Sequence, residues 1–172
     1  MSRGLAVFYA DQCDPKKCSS VKVRNLQNKL SFSLYWITNS HKIRRKSIVL
    51  TPFGSYLLPS DSDIYEKNGL TVLDCSWKQN HPILKSNFPN ARRLPKLLAG
   101  NPVNHGKWEF LTSMEATIAA FFIMGYTKEA KEIMSCLPSW GQTFFDLNKE
   151  LLLAYQKANT PEDYSKILDE FL

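Results

Sequence analysis

The chain has 172 residues, 44 % of them hydrophobic and 22 % charged. That balance supports a buried core and argues against global disorder. No run approaches the roughly 20 apolar residues that span a bilayer, and Met1–Leu5 lacks the apolar region of a secretory signal, so a cytoplasmic protein with no membrane partner is expected. The net charge of +6 is unevenly held: residues 1–50 contain ten Lys/Arg against two acids, and residues 51–172 contain twelve against fourteen. A surplus gathered in one half points to a polyanionic partner.

Leu5–Ala10 is a short apolar run and reads as a buried strand. Asp11–Lys17 is a loop leaving that strand. Ser19 or Ser20 is placed to cap a helix reaching about Lys29. Phe32–Ile37 is a strand or a helix end, and His41–Lys46 is a basic turn. Ser47–Thr51 is a second strand, expected to stop at Pro52. Asp61 or Ser62 opens a short helix ended by Gly69, and Leu70–Asp74 is a further strand. Strands separated by helical pieces predict an α/β fold with a parallel sheet in the N-terminal part.

The second half reads as helical. Thr112-x-x-Glu115 is a capping box, followed by an almost wholly apolar helix ended by Gly125. Thr127 opens another helix that stops before Pro138, and Phe144–Tyr155 is a third. Thr160-Pro161 opens the last, with proline at the first helical position and acids on the positive dipole end. A boundary near residue 90 divides a basic α/β part (1–90), the one that would face the polyanion, from a part (91–172) that joins an irregular segment, Arg92–Phe110, to the C-terminal helices. Long irregular segments in compact domains are usually functional.

The four cysteines, Cys13, Cys18, Cys75 and Cys136, do not form two close pairs, and the three histidines are scattered. A structural zinc site needs four ligands, so no metal is expected. Glycine-rich phosphate loops and HExxH are absent, which disfavours nucleotide hydrolysis, dinucleotide redox chemistry and zinc hydrolysis. Asp74-Cys75-Ser76-Trp77 follows directly on an apolar strand, and ligands of open α/β sheets bind outside the carboxyl ends of strands. That puts a carboxylate and a large aromatic beside a candidate crevice.

Six blocks occur in order: Asp14-Pro15-Lys16-Lys17-Cys18; Leu73-Asp74-Cys75-Ser76-Trp77; Arg93-Leu94-Pro95 with Leu97-Leu98-Ala99; Asn101-Pro102-Val103-Asn104; Leu111-Thr112-Ser113-Met114-Glu115-Ala116; and Asn148-Lys149-Glu150-Leu151-Leu152. Together they closely resemble the small-subunit rRNA aminocarboxypropyltransferases of archaea and eukaryotes. The resemblance implies an enzyme that moves the 3-amino-3-carboxypropyl group of S-adenosylmethionine to N3 of an N1-methylpseudouridine in small-subunit rRNA, free or in a pre-ribosomal particle, and releases methylthioadenosine. It also implies a SPOUT-like fold with a trefoil knot at the cofactor site, and a monomer without metal.

By the same resemblance, Leu73 and Leu97 hold ribose and adenine through their backbones, and Thr112 makes a second adenine contact. Ser19 offers a hydroxyl to the amino acid portion. Ala116 falls at a contact position where some members carry a hydroxyl that alanine lacks, and His105 stands where tyrosine is common. Trp77 is suited to bury the methyl group and to face the sulfonium with its ring. Asp74 is the candidate base for the uridine imide. Lys16, Lys17, Lys22, Arg24, Arg44, Arg45, Lys46, Arg92, Arg93 and Lys96 are the candidate phosphate contacts, which position RNA without reading its sequence. A methyltransferase of related fold and a non-catalytic rRNA-binding assembly factor are the alternatives.

Overall fold

Apolar runs of four or five residues cannot bury themselves alone, so they pair edge to edge. The computed structural model describes residues 3–11, 14–75 and 81–172. In it β1 (Leu5–Tyr9), β2 (Leu34–Ile37), β3 (Ile48–Tyr56), β4 (Leu70–Asp74) and β5 (Ala91–Arg93) form one sheet, ordered β2-β1-β4-β3-β5. Every pair is parallel. Strands inside a parallel sheet are covered on both faces and so read as continuous apolar runs. The central strand β4 and its neighbour β1 are buried almost throughout.

The two faces are covered differently. Leu5, Val7, Ile48, Leu50, Leu70 and Val72 alternate onto one face, where they join the larger core. That core takes Val23 from α1 (Ser19–Asn25), Tyr65 from α2 (Ser62–Asn68), Phe121 from α3 (Ser113–Ile123), Ile133 from α4 (Thr127–Ser135), Phe144 from α5 (Trp140–Tyr155) and Tyr164 from α6 (Pro161–Phe171). The six α-helices of the described residues therefore pack on the same side. Ala6, Phe8, Val49 and Leu73 face the other way and are covered by Ile43, Ile83, Leu84 and Phe88, which come from segments with only short 3₁₀ turns. α3 buries nine of its eleven residues, as a helix enclosed by the sheet and its neighbours must. No helix among the described residues is long and apolar enough to cross a membrane.

The strands at Leu5, Ile48 and Leu70, the capping box of α3 and the late helices match the sequence reading. Phe32–Ile37 resolves as strand β2. The second strand does not stop at Pro52 but runs on to Tyr56. Pro52 falls where the pairing with β5 shifts register, between Leu50 and Ser55, so its missing N–H removes no ladder bond. α1 has Cys18, not Ser19 or Ser20, at its N-cap position, without a side-chain capping bond, and ends at Asn25, a 3₁₀ turn continuing to Lys29. α5 begins at Trp140, a turn earlier than its apolar run suggests. β5 lies at the start of the segment read as irregular; its residues, Ala-Arg-Arg, have no strand pattern. Leu97 and Met114, beyond residue 90, share one core with Leu5 and Val7.

β3 and β5 approach closely at Gly54. A Cβ there would stand 2.5 Å from the Ala91 carbonyl and the Arg92 nitrogen. Gly54→Ala should therefore cost about 1–3 kcal/mol, the range for forced overpacking, read as a lower urea midpoint. An unchanged midpoint would mean the two strands can part without loss.

Candidate active site

β4 is the central strand, and its last residue is Asp74, the register partner of Tyr9 on β1. Alternation puts the Asp74 side chain on the helical face, with Leu70 and Val72. There its Oδ2 accepts from the Cys18 thiol at 3.2 Å and its Oδ1 from the Ser113 hydroxyl at 2.9 Å. Cys18 holds the N-cap position of α1 and Ser113 begins α3. The carboxylate is thus strapped between two helix starts from distant parts of the chain. The positive end of α3 favours a negative group at this point.

Ser19 is buried beside this pair. The next hydroxyl, Ser20 Oγ, is buried and has no hydrogen-bond partner among the described residues, an arrangement that calls for a polar partner. Leu73 is buried on the opposite face of β4. The half-buried Cys75 thiol is pushed up to about 11, first by burial and then by the Asp74 charge. It stays protonated near neutral pH and is no nucleophile there. Trp77 lies outside the described residues, as do Ser76 and Cys13.

The segment from Lys96 to Asn101 is fixed by groups that reach it from two helices. Asn148 on α5 is fully buried; its Oδ1 accepts from Leu98 N–H and its Nδ2 donates to the Leu98 and Phe144 carbonyls, each at 2.8 Å. Tyr155 donates to the Lys96 carbonyl at 2.8 Å. Gly100 lies against α5 so tightly that a Cβ would meet the Phe144 nitrogen at 2.4 Å. Leu97 is buried, and its carbonyl accepts from Glu109 N–H at 3.0 Å. Leu98 bridges Trp108 antiparallel, which closes a small hairpin.

Glu115 completes the clamp. Its side chain is wholly buried and accepts from Gly100 N–H, Asn101 N–H, Asn101 Nδ2 and Thr112 N–H, at 2.7 to 3.0 Å. The carboxylate that caps α3 therefore also holds the Asn-Pro-Val-Asn loop. Thr112 N–H is committed to Glu115, and the Thr112 carbonyl accepts from Ala116 N–H. A backbone contact from Thr112 to a ligand has the second lone pair of that carbonyl to use. Ala116 is half-buried one turn along α3.

The candidate phosphate contacts do not form one patch. Lys16 and Lys17 are exposed in the loop after β1; Lys22 Nζ donates to the Lys16 carbonyl, and the Arg24 guanidinium sits 4.5 Å from the Trp36 ring centre. These four stand toward the carboxyl ends of the strands. Arg44, Arg45 and Lys46 precede Ile48 at the amino end of β3, where Arg45 bonds the Asn87 carbonyl and Lys46 accepts from Asn90. Arg92 is half-buried and gives two bonds to Asp61, at 3.0 and 3.1 Å, so its guanidinium fastens β5 to the turn before α2. Arg93 lies 4.0 Å over the Tyr56 ring, and Lys96 is exposed. The described residues contain no group of three or more His, Cys, Asp or Glu suited to a metal.

Two donors to Asp74, Cys18 and Ser113, escaped the sequence reading because their pairings are long-range. Cys18 and Ser113 stand inside quoted blocks, but nothing local marks a thiol or a serine as a carboxylate donor. Glu115 was legible as a cap, not as the clamp of a loop.

A parallel sheet with a strapped carboxylate at its central carboxyl end, beside a backbone loop fixed by two helices, defines a small-molecule-dependent α/β enzyme. The comparisons give the class more closely. The family model described as "Ribosome biogenesis protein, C-terminal" matches residues 48–172. A second, "Possible Fer4-like domain in RNase L inhibitor, RLI", matches residues 4–25, a stretch with two cysteines where such a cluster takes four. The 16S rRNA aminocarboxypropyltransferase of Methanocaldococcus jannaschii is 38 % identical over 170 residues, 98 % of this chain and 95 % of that protein. The one from Methanococcoides burtonii is 41 % identical over 171 residues, 98 % and 94 %. The solved structure of the SAM-dependent rRNA:acp-transferase Tsr3 from Vulcanisaeta distributa superposes with a TM-score of 0.83 at 28 % identity, covering 99 % of this chain and 96 % of that one. The chain belongs to the 16S rRNA aminocarboxypropyltransferase family.

Glu115→Gln keeps the size of the side chain but turns one acceptor oxygen into a donor that faces other donors. The expected loss is about 2–4 kcal/mol, from weaker charged hydrogen bonds and unpaired buried donors, together with faster proteolysis between residues 100 and 112. Wild-type stability and protease resistance would show that the loop is held by its apolar contacts alone.

Proposed function

We propose that the protein transfers the 3-amino-3-carboxypropyl group of S-adenosylmethionine to N3 of an N1-methylpseudouridine in small-subunit rRNA, releasing methylthioadenosine. The observation that carries this reading is Asp74, held by Cys18 and Ser113 at the carboxyl end of the central strand, in a chain aligned over nearly its full length with named aminocarboxypropyltransferases.

The residues present fit the donor molecule. It has a cationic sulfonium and ammonium, a carboxylate, and an adenosine with base-edge donors and acceptors. Asp74 suits a cation, and Ser19 with the unpartnered Ser20 hydroxyl suits the amino acid portion. The backbones of Leu73, Leu97 and Thr112, beside Ala116, suit the adenosine, and Trp77 suits the methyl group and the sulfonium. Bound here, S-adenosylmethionine supplies an electrophilic carbon whose leaving group is a neutral thioether.

Asp74 accepts the N3 proton of the uridine as N3 forms its bond to that carbon; the carbon–sulfur bond breaks and its electron pair stays on sulfur. Cys18 and Ser113 fix both carboxylate oxygens, which keep lone pairs for a further donor, so the base is oriented before RNA arrives. Lys16, Lys17 and Lys22 hold phosphates beside the site, where Arg24, on the Trp36 ring, contacts the same RNA. Arg44, Arg45 and Lys46, at the amino end of β3, are a separate cationic patch for RNA further away; Arg93 and Lys96 follow at and after the end of β5, and Arg92 contributes through its pair with Asp61.

The same reading takes residues 1–90 as a basic, RNA-facing α/β part that also lends Ser19, Leu73, Asp74 and Trp77 to the donor, and residues 91–172 as the cofactor-binding loop segment with the C-terminal helices. The cationic surplus of the first 50 residues and the clamp on residues 96–101 support that division. It takes the fold to be a knotted, SPOUT-like one acting as a cytoplasmic monomer, supported by the resemblance and by the enclosure of residues 96–101 between α3 and α5.

Two measurements test the proposal. With S-adenosylmethionine labelled on either the methyl or the carboxyl carbon, rRNA should take up the carboxyl label only; uptake of methyl label overturns the reaction. Asp74→Asn should slow single-turnover transfer by about 10²–10⁴-fold, the range for a general base, with donor affinity changed only a few-fold. Normal turnover in that variant removes Asp74 from the chemistry.

A further inference from the structure

Beside Asp74 lies a groove of about 620 Å³ at the carboxyl ends of β1 and β2, a size typical of ligand sites. Its floor is a layered stack. The Tyr9 and Trp36 rings lie 4.8 Å apart, 35° from parallel, and the Arg24 guanidinium is 4.5 Å from the Trp36 centre. His81 stands on the far side, edge-on to Phe8 at 5.6 Å. Asp11, a non-glycine residue at φ 56°, lines the same groove and accepts from the Tyr9 hydroxyl at 3.1 Å.

Tyr9 is the register partner of Asp74, and Trp36 is one strand further on. The stack therefore begins about 5 Å from the Asp74 strand and ends about 10 Å from it, at the usual spacing of strands. Lys16, Lys17 and Lys22 flank it from the loop and helix that follow β1.

Among the described residues, none of the side chains assigned above to the donor molecule or to proton transfer lines this groove, yet it combines half-buried aromatic faces, a planar cation and a rim of lysines. That combination is how proteins hold single-stranded nucleic acid: phosphates on cations, bases on rings and guanidinium planes. A buried core stack would not place an arginine and a strained aspartate at its open end. Asp11 offers a carboxylate to which a base N–H can donate.

We infer that the Tyr9–Trp36–Arg24 shelf is a stacking subsite for an unpaired RNA base adjacent to the target uridine. It rests on the rRNA reading above and adds a second point of hold, so that the target nucleotide is drawn to Asp74 while its neighbour is parked on the shelf. Base removal from the stack costs least in a loop or single strand, so the subsite favours an unpaired neighbour.

The test is an abasic scan. Single-stranded rRNA oligonucleotides carrying the target uridine are made with one abasic residue at each flanking position, which deletes a base and keeps the phosphate. The wild-type protein, saturated with S-adenosylmethionine, should lose about tenfold in affinity at one adjacent position, the scale of one stacked base. Arg24→Ala and Trp36→Leu should each erase that difference while binding S-adenosylmethionine as wild type does, which also reports that they fold. Equal affinity for every abasic oligonucleotide, with RNA still bound and modified, overturns the shelf and leaves the rRNA reading intact. Failure of the wild-type protein to bind any of the RNAs overturns both.

Discussion

The arrangement depends on one buried carboxylate. Glu115 has no exposure to water, and an ionised group in that position is costly unless strong hydrogen bonds replace its hydration. Four N–H groups do so, from Gly100, Asn101 and Thr112. Each of these is a polar group of an irregular loop that would itself be expensive to bury unpaired. The two needs cancel: the loop exists in this form because the acid is there, and the acid is tolerated because the loop is. Asn148 does the same from the other side with a neutral amide, matching both the N–H and the carbonyl of Leu98.

That clamp has a consequence for Asp74. Ser113, which bonds Asp74, follows directly on the cap residue Thr112 and precedes Glu115 by two. The start of α3 is therefore positioned twice: by the loop it holds and by the strand end it touches. Cys18 adds the start of α1. A carboxylate fixed through both oxygens by two independent helices has little freedom to wander, which is what the role proposed for Asp74 requires. Among the described residues the six α-helices lie on one face of the sheet and irregular segments on the other, so both helix starts that Asp74 touches come from the same side.

Much of this was readable from residue order, and the rest failed for definable reasons. Leu70–Asp74 and Leu5–Tyr9 announce themselves because strands in the middle of a parallel sheet must be apolar throughout. Thr112 and Glu115 announce a helix start because the capping box is local. β5 could not be seen: Ala91–Arg93 is a strand only because β3 lies beside it and Gly54 lets it come close. Pro52 misled because a proline within a register shift costs nothing, a fact that depends on the partner strand. Arg92 looks like its neighbour Arg93 in sequence, but Asp61, 31 positions earlier, makes it an ion pair. Cys18 and Ser113 sit 56 and 39 positions from the carboxylate they serve. Local rules describe elements; the site is made of pairings between them.

The reaction proposed here requires one carbon of the sulfonium to face a nucleobase beside Asp74 while another is screened. A crystal structure with S-adenosylmethionine bound measures that directly. The expected result is the aminocarboxypropyl carbon turned toward Asp74 and the cationic groove, with the methyl group enclosed. A methyl group directed at Asp74 and the groove, with the amino acid tail sealed behind residues 96–101, would contradict it.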